Sequence, residues 1–350
     1  MSHIKANLAD FDYEEMSDIL SGMKPFRKDQ LFDAVTQFKS YEEVTNLPKS
    51  IIENLKEKYY DRALRVEKIF DSKDKSQKYL FALNDMNIIE GVYMPHNYGD
   101  TLCVSTQVGC RMGCAFCASG LNGLVRNLTA GEILSQVLCV NRLKGGTKKS
   151  RAITNVTLMG SGEPLDNFEN TVKFLKMVSH PKGLNISLRN VSLSTCGIVP
   201  RIIELADMGL QVTLSISLHA PTDKKRNEIM PINKAYGLFG LIEAVKYYFA
   251  KTKRRVIFEY TLIDNKNDDK ESAEELSKLV KGLPCHINLI NLNPIKEKGL
   301  KAANSGRVKE FMDILDKNNI SNTLRRSMGA DIEGACGQLR NSYVKEGSFY

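Results

Sequence analysis

The chain has 350 residues, 42% of them hydrophobic and 26% charged, a globular composition that excludes a disordered or fibrous protein. No apolar run approaches the ~20 residues of a membrane span, and Met1–Tyr13 lacks the continuous apolar stretch of a secretory signal. Lysine and arginine number 49 against 41 aspartates and glutamates, and this net charge of +8 favours an acidic partner such as nucleic acid.

The first part of the chain reads as helical. Met16, Ile19, Leu20 and Met23 have helical spacing in Tyr13–Met23, as do Phe26, Leu31, Phe32, Val35 and Phe38 in Phe26–Phe38. Ser50 can cap a third helix over Ile51–Tyr60. These three predict a small N-terminal helical domain over 1–62. Segments rich in β-formers follow at Leu64–Phe70, Lys78–Leu83 and Ile88–Tyr93, predicting a β-rich linker or extension over 63–95.

From Thr101 onward strands and helices alternate. Strand-like runs are Thr101–Gln107, Ile153–Met159, Val191–Thr195, Val212–His219, Val256–Ile263 and Ile287–Leu292. The helix-like runs between them are Ala130–Leu143, Phe168–Val178, Val199–Met208, Leu238–Phe249 and Ala273–Lys281. Six such repeats imply an α/β fold: a partial (β/α)6 TIM-like barrel over 96–345, with right-handed crossovers and a lateral opening. Within Val212–His219, Thr213, Ser215, Ser217 and His219 share one strand face. A polar set pointing into a barrel predicts a polar cofactor inside; an edge strand with one wet face is the alternative.

Eight cysteines without a signal peptide argue for a reducing cytosol, where closely spaced cysteines bind metal or do chemistry. Cys110-Arg-Met-Gly-Cys114-Ala-Phe-Cys117 follows the first barrel strand. Iron–sulfur clusters take thiolate ligands, usually four; three here leave one iron of a 4Fe–4S cluster open to another molecule. Structural zinc is the alternative, but it needs four closed ligands, and the next cysteine, Cys139, lies in a predicted helix.

This CxxxCxxC loop on a βα barrel resembles the radical S-adenosylmethionine superfamily. The resemblance implies that S-adenosylmethionine chelates the open iron and is cleaved to a 5′-deoxyadenosyl radical. Gly160-Ser-Gly-Glu-Pro164 resembles the superfamily's GGEP element, with Ser161 in place of the first glycine. Thr101–Cys110, Arg126-Asn-Leu-Thr, Leu193-Ser-Thr-Cys-Gly, Ser217-Leu-His-Ala-Pro, Met230-Pro-Ile-Asn and Ala335-Cys-Gly-Gln-Leu occur in one order. Together they are similar to the RlmN family of adenosine-C2 methyltransferases acting on 23S rRNA and tRNA, and the match covers nearly the whole chain.

That resemblance implies that Gly162, Glu163, Ser194, Ser217, Leu218, His219 and Asn293 surround S-adenosylmethionine. Cys336 would be the methyl carrier, Cys103 the resolving cysteine and Glu90 the proton acceptor. The family scheme uses two S-adenosylmethionine molecules per turnover and ends in a Cys103–Cys336 disulfide. It further implies an electron donor such as flavodoxin and a monomer working in the cytoplasm. Basic clusters at 148–151, 224–226, 251–255 and 325–326 are candidate phosphate contacts, and the N-terminal domain a second RNA contact. The rivals are a Cfr-like methyltransferase acting on carbon 8 of the same rRNA adenosine, and a non-catalytic Fe–S or zinc RNA-binding module.

Overall fold

The computed structural model describes residues 5–339; the expected outer bounds at 1 and 345 lie outside the described residues. Ten strands form one sheet whose spatial order follows the chain. They are β1 Leu64–Asp71, β2 Gln77–Leu83, β3 Ile88–Met94, β4 Thr101–Cys103, β5 Asn155–Leu158, β6 Val191–Thr195, β7 Thr213–Ser217, β8 Val256–Leu262, β9 Cys285–Asn291 and β10 Asn322–Arg325. Pairing is antiparallel from β1 to β4 and parallel from β4 to β10. The segment expected as a linker is thus hydrogen-bonded into the barrel sheet through β3 and β4.

Alternation along β7 divides core from lumen. Leu214 and Ile216 are fully buried toward the helices, and β7 lies between β6 and β8, so the edge-strand alternative does not apply. The helices Ala130–Leu143, Phe168–Val178 and Leu238–Thr252 cover the outer face with Ile133, Val137, Phe174, Leu175 and Leu241. Arg126-Asn-Leu-Thr starts the first of these helices. The Thr129 hydroxyl accepts from Glu132 N–H (3.1 Å), the Glu132 carboxylate accepts from Thr129 N–H (2.9 Å), and Arg126 donates to Glu132 (2.7 Å).

Two elements went unread in the sequence: the helix that completes the sixth repeat and a further strand, β10. The helix Ser305–Lys317 buries only Val308, Phe311 and Leu315, too narrow a stripe to stand out. In β10 the apolar Leu324 is 45% exposed, so that edge strand carries no core pattern. The first barrel strand is shorter than expected. Pairing stops at Cys103, and Gln107–Gly109 turns away to pair with Leu124–Asn127.

The N-terminal residues hold a separate apolar cluster around Leu8, Met16, Leu31, Phe32 and Leu55. Its long helices are Phe26–Thr36 and Lys49–Lys58. The expected Tyr13–Met23 helix shrinks to Met16–Ile19, because Asp12 captures the N–H groups of Glu14 and Glu15 in a turn. Ion pairs Glu15–Lys173, Asp29–Lys182 and Asp33–Lys148, each 2.6 Å, join this cluster to the barrel. Lys148, from the first basic cluster, is therefore engaged within the protein. Among the described residues no helix is long and apolar enough to cross a membrane.

Candidate active site

The cysteine loop leaves the short ribbon at Gly109, whose φ of +77° and position 2.0 Å (from an added Cβ) to the Gly123 carbonyl admit no side chain. Cys110 N–H donates to that same carbonyl (2.9 Å), and Ala115 N–H donates to Ile229 O (2.9 Å). Arg111 pairs with Asp166 (Nε to Oδ2, 2.9 Å), tying the loop to the segment after β5. The three thiols face one cavity of about 150 Å³ at the carboxyl ends of the strands. Burial pushes the Cys110 thiol up to about 12 and Cys114 higher still, and the neighbouring loop thiols add like-charge repulsion. A metal site must displace those protons.

Among the described residues no three His, Cys, Asp or Glu side chains converge closely enough to hold a single metal ion. Structural zinc needs four closed ligands, and the loop brings three thiols to the cavity. A 4Fe–4S cluster is held by thiolates, and three from one loop would leave one iron open, so the donor set fits such a cluster.

Gly162, Glu163, Ser194, Ser217, His219 and Asn293 line the same cavity as the three cysteines. Leu218 does not; it is fully buried, and its carbonyl accepts from Arg226 Nε (3.0 Å). At Gly162 φ is +108°, and an added Cβ would lie 2.8 Å from Gln107 N. The glycine is needed there because the protein's own chain runs past it. Glu163 spans two strand ends: it accepts from Cys196 N–H (2.7 Å) and Leu165 N–H (3.0 Å), and burial raises its pKa. His219 Nδ1 accepts from Thr261 N–H (2.9 Å), which leaves the proton on Nε2. Burial, with Arg226 nearby, lowers its pKa to about 3, and its ring packs edge-on against Phe116 of the cysteine loop.

Sequence reasoning placed Arg226 in a basic cluster facing RNA. It is instead fully buried. Its guanidinium donates to the carbonyls of Cys196 (2.7 Å), Ser217 (3.1 Å) and Leu218 (3.0 Å) and to Asn233 Oδ1 (2.8 Å). It thereby fastens the ends of β6 and β7, and it gives Asn233 of Met230-Pro-Ile-Asn a structural task. Arg226 and Ile229 are both buried on one short helix at i, i+3 spacing, a signal present in the sequence.

A second cavity, of about 610 Å³, adjoins the first and is large enough for a small ligand, the usual range being ~300–1,000 Å³. Cys103 lines it, directly across the ladder from Val92. Cys336 lines both cavities. Its loop is held by Ala118 N–H to Gly337 O (2.7 Å), Asn293 Nδ2 to Cys336 O (3.2 Å) and the Ser119 hydroxyl to Leu339 O (2.8 Å). Asn293, expected beside the cofactor, thus also positions the Cys336 loop. Glu90 lines neither cavity. It is 3% exposed, on the strand face it shares with Val92 and Met94, and 3.9 Å from Lys78.

Residues 104–277 match the profile of the Radical SAM superfamily. A crystal structure of a radical SAM methyltransferase from Sphaerobacter thermophilus matches with a TM-score of 0.92 at 39% identity, covering 96% of this chain and 100% of that one. Fold, thiol loop and these matches define a radical SAM protein, a class that implies a 4Fe–4S cluster and S-adenosylmethionine. Curated relatives from Clostridium botulinum (strain Alaska E43 / Type E3) and Clostridium tetani are 48% and 49% identical over 97% and 98% of each chain, respectively. Both are described as probable dual-specificity RNA methyltransferase RlmN. The chain belongs to the RlmN family of RNA methyltransferases.

Proposed function

We propose that this protein methylates carbon 2 of adenosine in 23S rRNA, at the peptidyl transferase centre, and in tRNA, next to the anticodon. The observation carrying this reading is that Cys336 stands on the wall common to the two cavities, with the three loop cysteines in one and Cys103 in the other. When bound, the cluster and two S-adenosylmethionine molecules per turnover supply a methyl group and radical hydrogen abstraction. Cys110, Cys114 and Cys117 would hold the cluster. Gly162, Glu163, Ser194, Ser217, His219 and Asn293 would hold the cofactor, with Leu218 supporting through its backbone.

Adenine carbon 2 is electrophilic and bears no acidic proton, so transfer from a sulfonium fails there. Cys336 Sγ instead carries the methyl group, and its carbon becomes bonded to carbon 2. Glu90, whose strand face reaches the larger cavity through Val92 and Met94, takes the carbon-2 proton by way of a water. Cys103 then attacks Cys336 Sγ, a Cys103–Cys336 disulfide forms and methylated RNA leaves. The target base is unstacked into the larger cavity, with phosphates held by exposed basic residues and the N-terminal helices. The working form is a cytoplasmic monomer fed by a flavodoxin-like electron donor.

Mass spectrometry of digested RNA from cells with and without the gene tests the reading. Loss of 2-methyladenosine is expected; loss of 8-methyladenosine alone would establish the carbon-8 rival. A Cys336→Ala protein that still methylates RNA would refute the carrier role.

A further inference from the structure

Arg325 belongs by sequence to a basic pair, Arg325-Arg326, of the kind expected to meet RNA phosphates. Its surroundings are different. It ends β10, opposite Ile290 of β9, and lines both cavities, as Cys336 does. Nη1 lies 3.7 Å from Glu259 Oε2 and 3.5 Å from Met159 Sδ. Glu259 and Met159 therefore hold the guanidinium on the wall between the cluster cavity and the Cys103 cavity. The charge bears on both thiols: Cys336 foremost, then Glu259 and Cys103, raise the pKa of Arg325. Burial pushes Cys103 up to about 12 and an ionised Cys336 pushes the same way, while Thr157 and Arg325 oppose them.

A thiol so buried is a poor nucleophile at neutral pH, since the thiolate is the attacking species. We propose that Arg325 is a positioning residue for the thiol exchange, its guanidinium holding the negative charge on Cys103 Sγ as it attacks Cys336 Sγ to free the RNA. This rests on the carrier reading above. In the step, Cys103 gives its proton to solvent and the Sγ–Sγ bond forms as the bond from Cys336 Sγ to the RNA-linked methylene breaks. The electron pair of that bond goes to the carbon, which takes a proton and becomes the methyl group. The sulfurs are oxidised to the disulfide and the carbon is reduced. The other charged or titratable groups on this cavity wall are Asp74, His96, Tyr98, Arg189 and Arg326, with Lys78 and Glu90 paired nearby. Asp74 is lowered to about 2, and His96 is lowered by burial, so neither changes charge above pH 7.

The test follows the protein–RNA adduct on denaturing gels, using reconstituted full-length enzyme and an unmodified tRNA transcript between pH 7 and 9. Cys103→Ala should accumulate the adduct at every pH; if it forms none, the carrier reading itself fails. Given that adduct, Arg325→Met should slow its decay at pH 7 by at least about tenfold, one unit of thiol pKa. It should recover as pH rises, and Arg325→Lys should restore part of the rate. Adduct decay in folded Arg325→Met with the wild-type rate and pH profile would overturn the proposal. So would a folded Arg325→Met that forms no adduct, because the residue would then act earlier. If Arg325→Met does not fold, Arg325→Lys decides: a slowed, pH-steepened decay supports the proposal, and a wild-type profile overturns it.

Discussion

Arg226→Met is the perturbation that tests how the cofactor cavity is held together. Methionine keeps most of the aliphatic bulk and removes every donor. The carbonyls of Cys196 and Ser217 and Asn233 Oδ1 lose the Arg226 donor at once, at distances of 2.7–3.1 Å in the native protein, while the Leu218 carbonyl keeps Ala220 N–H (2.8 Å). An unsatisfied buried acceptor costs about 1–3 kcal/mol, while removing the charge recovers part of the desolvation that lowers the pKa of Arg226. The net expectation is a loss of about 3–5 kcal/mol. At roughly 2 cal/mol/K of unfolding entropy per residue, that lowers the melting midpoint by about 4–7 °C. Urea unfolding should show a lower midpoint with an unchanged slope. S-adenosylmethionine binding should weaken too, because Cys196, Ser217 and Leu218 end the strands that shape its cavity. A loss below about 1 kcal/mol would refute the reasoning, since the carbonyls would then have found other donors.

Three further outcomes are expected. His219, with a pKa near 3 in the fold against ~6.5 unfolded, stays neutral while the unfolded chain gains a proton. Its contribution is fully present above pH 6.5 and is lost as pH falls toward 3. His219→Gln should flatten the urea-midpoint stability change between pH 7 and pH 5 by about 2 kcal/mol, and an unaltered slope would show that the imidazole is protonated in the fold. Gly162→Ala forces a side chain into φ +108° with its Cβ 2.8 Å from Gln107 N; urea unfolding should register at least about 2 kcal/mol of destabilisation, and a neutral result would mean that the Gln107 segment gives way. RNA affinity should fall linearly with the logarithm of salt concentration in filter binding, and a flat profile would count against a polyanionic substrate.

Much of the barrel was legible because its patterns are strong. Val191–Thr195, Ala130–Leu143 and Phe168–Val178 begin and end where alternation or helical spacing puts them. The helix of the last repeat and the strand beyond it were not, since Ser305–Lys317 and β10 are half-exposed and carry little apolar pattern. The cysteine loop was legible from spacing alone, whereas Cys103, Cys336 and Glu90 were legible only by family resemblance. Between Gly334, Ala335 and Gly337, Cys336 has nothing local to set it apart from a packing cysteine. Basic clusters were read by charge, which says nothing about direction: Lys225 turns to Asp269 and Ser272, Arg151 to the carbonyls of Leu184 and Asn185, and Arg226 and Arg325 turn inward.

That inward turn has a physical reason. The lumen of this barrel carries Ser194, Ser217, Glu259 and Thr261 beside the apolar Leu158, Ile290 and Leu292. A polar lumen needs charge balance and donors for the carbonyls at its strand ends. Arg226 supplies donors at the ends of β6 and β7, and Arg325 balances Glu259 between the two cavities. The loop carrying Cys336 is then fastened to the cysteine loop through Ala118 and Ser119 and to the barrel through Asn293. With Cys336 on a wall common to both cavities, the proposed carrier role would need no large displacement of the chain between loading and unloading. A rigid sheet with a pinned loop would therefore suffice for the two-stage reaction proposed above.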